Sequence, residues 1–204
     1  MAATWNPADK SAGVTLSGGN LISTYASGSG DVGARSTTSN SLGKVYFEAT
    51  PSNLLGVDKG IGLSNASQSF VTLAGNATGG IMYYLSGNVW KSGALFYAGG
   101  LWNTVNAGGF AIDFATSQVW VRNGSAPTRW NNSTSNDPAT GVGGQSLSGL
   151  NPALFAAGTF SATSNGTWTV NFGGSAFEMA VPSGFGTWDA PAFGGVTTRV
   201  MVLA

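Results

Sequence analysis

Gly109-Phe-Ala-Ile-Asp-Phe114 and Gln118-Val-Trp-Val-Arg-Asn123, joined by the short polar link Ala115-Thr-Ser117, decide how this chain folds. Apolar residues alternate with small or polar ones in the first run, and in the second Val119 and Val121 stand two apart around Trp120, which is the period of side chains on a pleated strand. Two such runs around a short polar link read as a hairpin. Gly124 follows, then a long polar stretch, 125–144, that contains Trp130. A strand-like run resumes at Asn151-Pro-Ala-Leu-Phe-Ala-Ala-Gly158. Compact domains rarely carry loops of this length unless they bind something or are disordered. A tryptophan is a large apolar group to leave in water, so Trp130 is expected either to contact a partner or to fold back as a plug.

The same alternation recurs outward in both directions. Val14-Thr-Leu-Ser17 meets Leu21-Ile-Ser-Thr-Tyr25 across Gly18-Gly-Asn20, and Lys44-Val-Tyr-Phe-Glu-Ala-Thr50 stops at Pro51. Ile81-Met-Tyr-Tyr-Leu85 and Val89-Trp-Lys91 flank Ser86-Gly-Asn88, while Thr159-Phe-Ser-Ala-Thr163 and Thr167-Trp-Thr-Val-Asn-Phe172 flank Asn165-Gly166. The Asn-Gly pair predicts a tight hairpin, because both central residues of that turn take positive φ. No segment sustains a capped 3.6-residue apolar period, and Asn65–Phe70 is at most one helical turn. The fold class read from this pattern is all-β: an antiparallel two-sheet β-sandwich with little helix. One domain is expected over 1–185. A tail, 186–204, follows, and its Val196-Thr-Thr-Arg-Val-Met-Val-Leu203 run reads as a further strand that closes its own sheet or docks on a neighbour's edge.

Composition narrows the function classes. The 204 residues are enough for one buried core. Only 8% are charged, against roughly 25% in typical soluble domains. Eight basic and eight acidic residues cancel, so there is no footprint for nucleic acid or an anionic membrane. The absence of cysteine excludes disulfides, thiolate metal sites and cysteine nucleophiles. The absence of histidine removes the commonest general base and metal ligand. Met1–Lys10 has neither the basic start nor the apolar core of a signal peptide, and no apolar run approaches the ~20 residues of a membrane span. The expectation is a soluble chain without cofactor or membrane insertion, which leaves its cell by lysis or by assembly into a particle.

Several segments, taken in order, resemble one family. Trp5-Asn-Pro-Ala-Asp-Lys10 with Val14-Thr-Leu-Ser-Gly-Gly-Asn-Leu21 is similar to the opening strand pair of SPRY-type domains. Gly43-Lys-Val-Tyr-Phe-Glu48 resembles their Gly-Lys-Trp-Tyr-Phe-Glu strand, and Lys59-Gly-Ile-Gly-Leu63 the strand after it. Gly109–Phe114 and Val119–Gly124 resemble a later strand pair, and Val170-Asn-Phe-Gly173 with Phe177 and Pro182-Ser-Gly-Phe185 the closing strand. Trp130-Asn-Asn132 and Asp137-Pro-Ala-Thr-Gly-Val-Gly-Gly144 look like the bacterial and bacteriophage version. The resemblance runs over most of Trp5–Phe185. It implies a concanavalin-like jelly roll and non-catalytic recognition through loops at one end, usually of a protein and sometimes of a glycan.

The residues themselves offer little chemistry. Concanavalin-fold glycosidases need a close carboxylate pair, whereas Asp9, Asp31, Glu48, Asp58, Asp113, Asp137, Glu178 and Asp189 include no two within five residues. Asn136-Asp137 is a weak calcium hint that reads more simply as a turn before Pro138. Gly28-Ser-Gly-Asp-Val-Gly33 fits a phosphate-loop spacing, but no helix pattern follows it. Arg129 is placed to pair with Asp137 inside the loop. Six Asn-X-Ser/Thr triplets are what an Asn/Ser/Thr-rich chain contains by composition. Trp120 and Trp168 sit inside alternating strands and read as core or sheet-face residues. The ligand or partner candidates are therefore the aromatic and amide residues nearer turns: Trp90, Tyr97, Trp102, Asn103, Trp130, Asn131 and Asn132. Indole rings flanked by amides suit both sugars and protein interfaces.

These readings lead to a non-enzymatic bacteriophage virion-associated protein, displayed at the particle surface as a capsid decoration or as a tail or fibre-associated subunit. Its expected partners are other virion proteins, capsid or tail, and a host surface glycan or protein; a homo-oligomer is left open. With no stalk sequence, the chain is expected to dock by its own surface, with 186–204 as the candidate segment. The alternatives are a free-standing carbohydrate-binding module and a concanavalin-fold glycoside hydrolase.

Overall fold

The computed structural model describes residues 2–26, 28, 30–54, 58–70 and 78–193. Along the chain run β1 (Trp5–Lys10), β2 (Thr15–Ser17), β3 (Ile22–Tyr25), β4 (Val32–Asn40), β5 (Lys44–Pro51), β6 (Gly60–Ser64), β7 (Gly80–Tyr84) and β8 (Asn88–Lys91). They are followed by β9 (Ala94–Ala98), β10 (Gly108–Asp113), β11 (Gln118–Arg122), β12 (Gln145–Ser146), β13 (Leu154–Phe160), β14 (Gly166–Asn171) and β15 (Gly186–Thr187). Among the described residues there is no helix, and Asn65–Phe70 is a turn.

The strands form two sheets, as the alternation predicts. One has the order β1-β4-β13-β6-β7-β8-β9, the other β12-β11-β10-β5-β14-β3-β2. Every pairing is antiparallel except that of β15, which lies parallel to Val45–Tyr46 of β5. β14 takes only Glu48–Pro51 on that side of β5, so β15 fills the length that β14 leaves open. The β2–β3 hairpin turns on Gly18, Gly19 and Asn20, which all have positive φ (58°, 67° and 64°).

Inward-facing residues of both sheets fill one core. Trp5, Trp102, Trp168, Trp188, Phe47, Phe110, Phe160 and Phe172 are all fully buried there. Phe47 stacks on Phe110 with ring centroids 4.8 Å apart and meets Trp188 edge-on at 5.3 Å. The chain after Phe185 is thus part of the sandwich, because Trp188 completes the core and the Asp189 carboxylate accepts hydrogen bonds from Ala3 N at 2.8 and 2.9 Å. The strand-like run 196–203 lies outside the described residues.

One expectation changes. Asn165-Gly166 does not close a hairpin: β13 belongs to one sheet and β14 to the other, and Ser161–Asn165 crosses between them. Of the Asn-Gly pair only Gly166 has positive φ, so the tight turn cannot form; instead Ser164 N donates to Ser161 O at 3.0 Å and the buried Ser164 hydroxyl meets that of Ser161 at 2.8 Å. β4, which begins at Val32, is a strand the Ser/Thr-rich sequence does not advertise.

Candidate binding surface

Two loops meet at one end of the sandwich, 99–107 between β9 and β10 and 123–132 after β11. Their base is rigid. Trp102 is 1% exposed and lies against Tyr83 and Trp168, with centroid separations of 5.8 and 5.5 Å. Its indole N–H donates to Asn106 O at 3.3 Å. Gly108 must be glycine, because a Cβ there would stand 2.3 Å from the Trp102 ring. Asn123 turns the second loop: its Oδ1 accepts from Ser125 N and Ala126 N at 2.9 and 2.8 Å, an Asx turn. Its amide nitrogen donates to the Tyr83 hydroxyl and to Gly100 O. Burial pushes the Tyr83 phenol up to about 12, so it stays neutral. Asn103 N donates to Ser125 Oγ at 2.7 Å, which ties the loops together.

This base presents Leu101 and Val105, 57% and 50% exposed. Asn103 and Asn106 are exposed beside them. The exposed Asn132 comes in from the other loop, its Oδ1 close enough to Gly100 that a Cβ there would sit at 2.9 Å.

The long loop folds back over the outward face of the second sheet. Trp130 is 8% exposed and packs with Tyr46, Ala111, Trp120 and Phe185, and the Arg122 guanidinium lies 4.3 Å from its ring centre. It folds back, but onto the sheet face and not into the end of the sandwich. Asn131 explains how the loop is held. Its Oδ1 accepts from Val121 N at 2.9 Å and from the Tyr97 hydroxyl at 2.7 Å, and its Nδ2 donates to Val119 O and Gly143 O at 3.1 and 2.8 Å. The amide thus completes the edge of β11 beyond the two-residue β12 and has no group left for a ligand. Trp120 Nε1 donates to Val142 O at 2.8 Å on the loop's return.

Beneath Trp130 runs a buried polar chain. Arg122 Nη2 donates to the Tyr46 hydroxyl at 2.8 Å, which donates to Glu48 Oε1 at 2.7 Å. Glu48 also accepts from Glu178 N and Met179 N at 2.8 and 2.9 Å, and Arg122 Nη2 donates to Ala180 O at 2.6 Å. Burial raises the Tyr46 phenol far above its ordinary value, more than the Arg122 charge lowers it. One network therefore fastens segment 178–180 and the loop around Trp130 to the same sheet face.

The structure leaves Asn103 and Asn132 exposed at the loop end, buries Trp102 in the core beneath it, and packs Trp130 and Asn131 against the face and edge of the second sheet. Tyr97 is half-buried with its hydroxyl on Asn131. Trp90 stands apart, half-buried on the outer face of the first sheet against Met82, Tyr84 and Ala157. Arg129 and Asp137 do not pair: Asp137 caps its own turn, accepting from Ala139 N at 2.9 Å, and among the described residues the ion pairs are Arg35–Asp9 and Lys44–Asp113. Sequence reasoning missed Leu101, Val105 and the Tyr46–Glu48–Arg122 chain. No local pattern tells which apolar residue of 99–107 faces out, nor that a sheet's outward face is covered.

The sandwich matches solved structures closely in architecture. It superposes on the SPRY domain of human HERC1 with a TM-score of 0.61 at 13% identity, covering 81% of this chain and 96% of that one. The chain has the SPRY-type fold. The PSpry domain of TRIM65 gives 0.61 at 13% identity over 84% of this chain and 92% of its own, and stonustoxin 0.55 at 14% over 84% of this chain and 27% of the toxin. No protein-family model and no curated protein matches the sequence. In this SPRY-type sandwich the loop end built on Trp102 and Asn123 is the exposed surface with the firmest support.

Proposed function

We propose that the protein is a non-enzymatic recognition module that binds a protein partner through the loop end carrying Leu101 and Val105. On this reading it serves at the surface of a bacteriophage particle, as a capsid decoration or a tail or fibre-associated subunit. The observation that carries the binding role is a pair of half-exposed apolar side chains held on a buried, hydrogen-bonded base. Such groups are presented without ordering a loop at the moment of contact, so little entropy is lost on docking. Asn103, Asn106 and Asn132 supply the polar rim. The virion role is supported by the scarce charge, the lack of Cys and His, and the likeness of Trp130–Gly144 to phage-type members.

Co-purification with intact particles tests the placement. The double variant Leu101→Asp, Val105→Asp is expected to lose partner affinity about tenfold or more (~1.4 kcal/mol or above) while its thermal unfolding midpoint stays near the parent's. Undiminished binding overturns the reading. With Trp102 and Trp130 withdrawn from the surface, a glycan array is expected to be flat.

A further inference from the structure

The four sheet edges are not equally protected. Natural edges are defended by brevity, proline or charge. β12 has two residues and β2 three, and β1 carries Pro7, Asp9 and Lys10. β9 has none of these three, and carries only a β-bulge at Phe96. It reads Ala94-Leu-Phe-Tyr-Ala98, pairs among the described residues with β8 alone, and leaves Ala94, Leu95 and Ala98 exposed, with Leu95 at 56%.

We propose that β9 is a self-pairing edge, through which two copies of this chain join antiparallel across a two-fold axis and run their sheets together. Charge favours a second copy over a foreign strand. In an antiparallel two-fold pair the strand faces its own reversed copy and only the residue at the axis meets itself, so an edge of a single charge sign would repel itself; this one carries no charge. The nearest cation, Lys91, is turned away: its Nζ lies over the Phe96 ring at 4.1 Å and donates to Ser146 O and Ser148 O at 2.9 and 3.3 Å. Copies with zero formal net charge also have no long-range repulsion to overcome. A foreign strand would be chosen by pockets or charges, and the edge offers no charge to read. The β-bulge at Phe96 adds twist and shortens the regular pairing. The contact is therefore smaller than the ~1,200 Å² of a standard interface, and the dimer is a weak one that forms where copies are crowded.

Sedimentation velocity of the full chain, from micromolar towards millimolar concentration, is expected to show a reversible shift from 20.6 kDa towards twice that mass. Over the same range hydrogen exchange should slow at the amides of 94–98. L95K and L95E, at an exposed position, are each expected to stay monomeric with near-parental thermal midpoints, and their equimolar mixture to associate again. A wild-type chain monomeric throughout overturns the proposal, as does a dimer indifferent to L95K or a mixture that stays monomeric. Wild-type protein that stays monomeric yet captures a different protein through residues 94–98 overturns it too, in favour of a foreign strand. If either variant unfolds, concentration-dependent protection at 94–98 in the wild type decides alone.

Discussion

Lys59 is fully buried and pairs with no carboxylate among the described residues; its Nζ donates to Asn53 Oδ1 at 2.6 Å and to Asn165 O at 3.2 Å. Desolvation lowers its pKa from 10.5 to about 8. Below about pH 8 both folded and unfolded chains hold the proton, and the cost of burying the charge is present in full. Between about 8 and 10.5 the unfolded chain keeps a proton the folded one has released, so stability rises with pH, by on the order of 2–3 kcal/mol at most. Above 10 the trend reverses, because Tyr46, Tyr83 and Tyr97 are all raised by burial and the unfolded chain ionises first. Urea midpoints measured from pH 7 to 11 are expected to peak near pH 10, and Lys59→Met to flatten the rising limb; a level wild-type profile would contradict this. None of it is legible in Lys59-Gly-Ile-Gly-Leu63, since a lysine beginning a strand is ordinarily a solvated one. The same holds for Asn131, an amide among amides in the sequence, whose four bonds appear only when β11 lies beside it.

Among elements, strands whose inward faces are apolar were readable and those with polar inward residues were not. Lys44–Thr50 and Gly109–Phe114 alternate because Val45, Phe47, Phe110 and Ile112 enter the core. β4 hides because its inward Ser36 is satisfied locally, donating to Thr38 O and accepting from Ala156 N where the pairing with β13 shifts register. The crossing from β13 to β14 was misread because a turn signal is local, whereas the choice of sheet depends on where Trp168 must be buried. The long loop shows the converse: its polarity reads as exposure, yet Trp130 anchors it. Trp130→Ala removes both the packing and the Arg122 contact and is expected to cost about 2–4 kcal/mol. Limited proteolysis should then cut within 125–144 well before the sandwich unfolds; unchanged resistance would mean that Asn131 holds the loop alone.

At the scale of the molecule, one feature joins the two extremes of the described chain. Trp188 sits 5.3 Å from Phe47, and Asp189 binds Ala3. Trp188→Ala is expected to cost about 3–5 kcal/mol, a large share of the ~5–15 kcal/mol that holds a domain together. It should lower the unfolding midpoint measured by tryptophan fluorescence and by circular dichroism together, since a single core reports to both probes. Transitions that separate would instead make 186–193 an appendage.

That late-arriving indole also has a consequence for biosynthesis. A ribosome adding roughly 5–20 residues per second takes on the order of seven to thirty seconds to go from Phe47 to Trp188. Until then Phe47 lacks its edge-on partner and Val45–Tyr46 lack their parallel neighbour. The sandwich is therefore complete only once residues 186–188 have joined the rest, and chaperone demand should be greatest just before that tryptophan emerges.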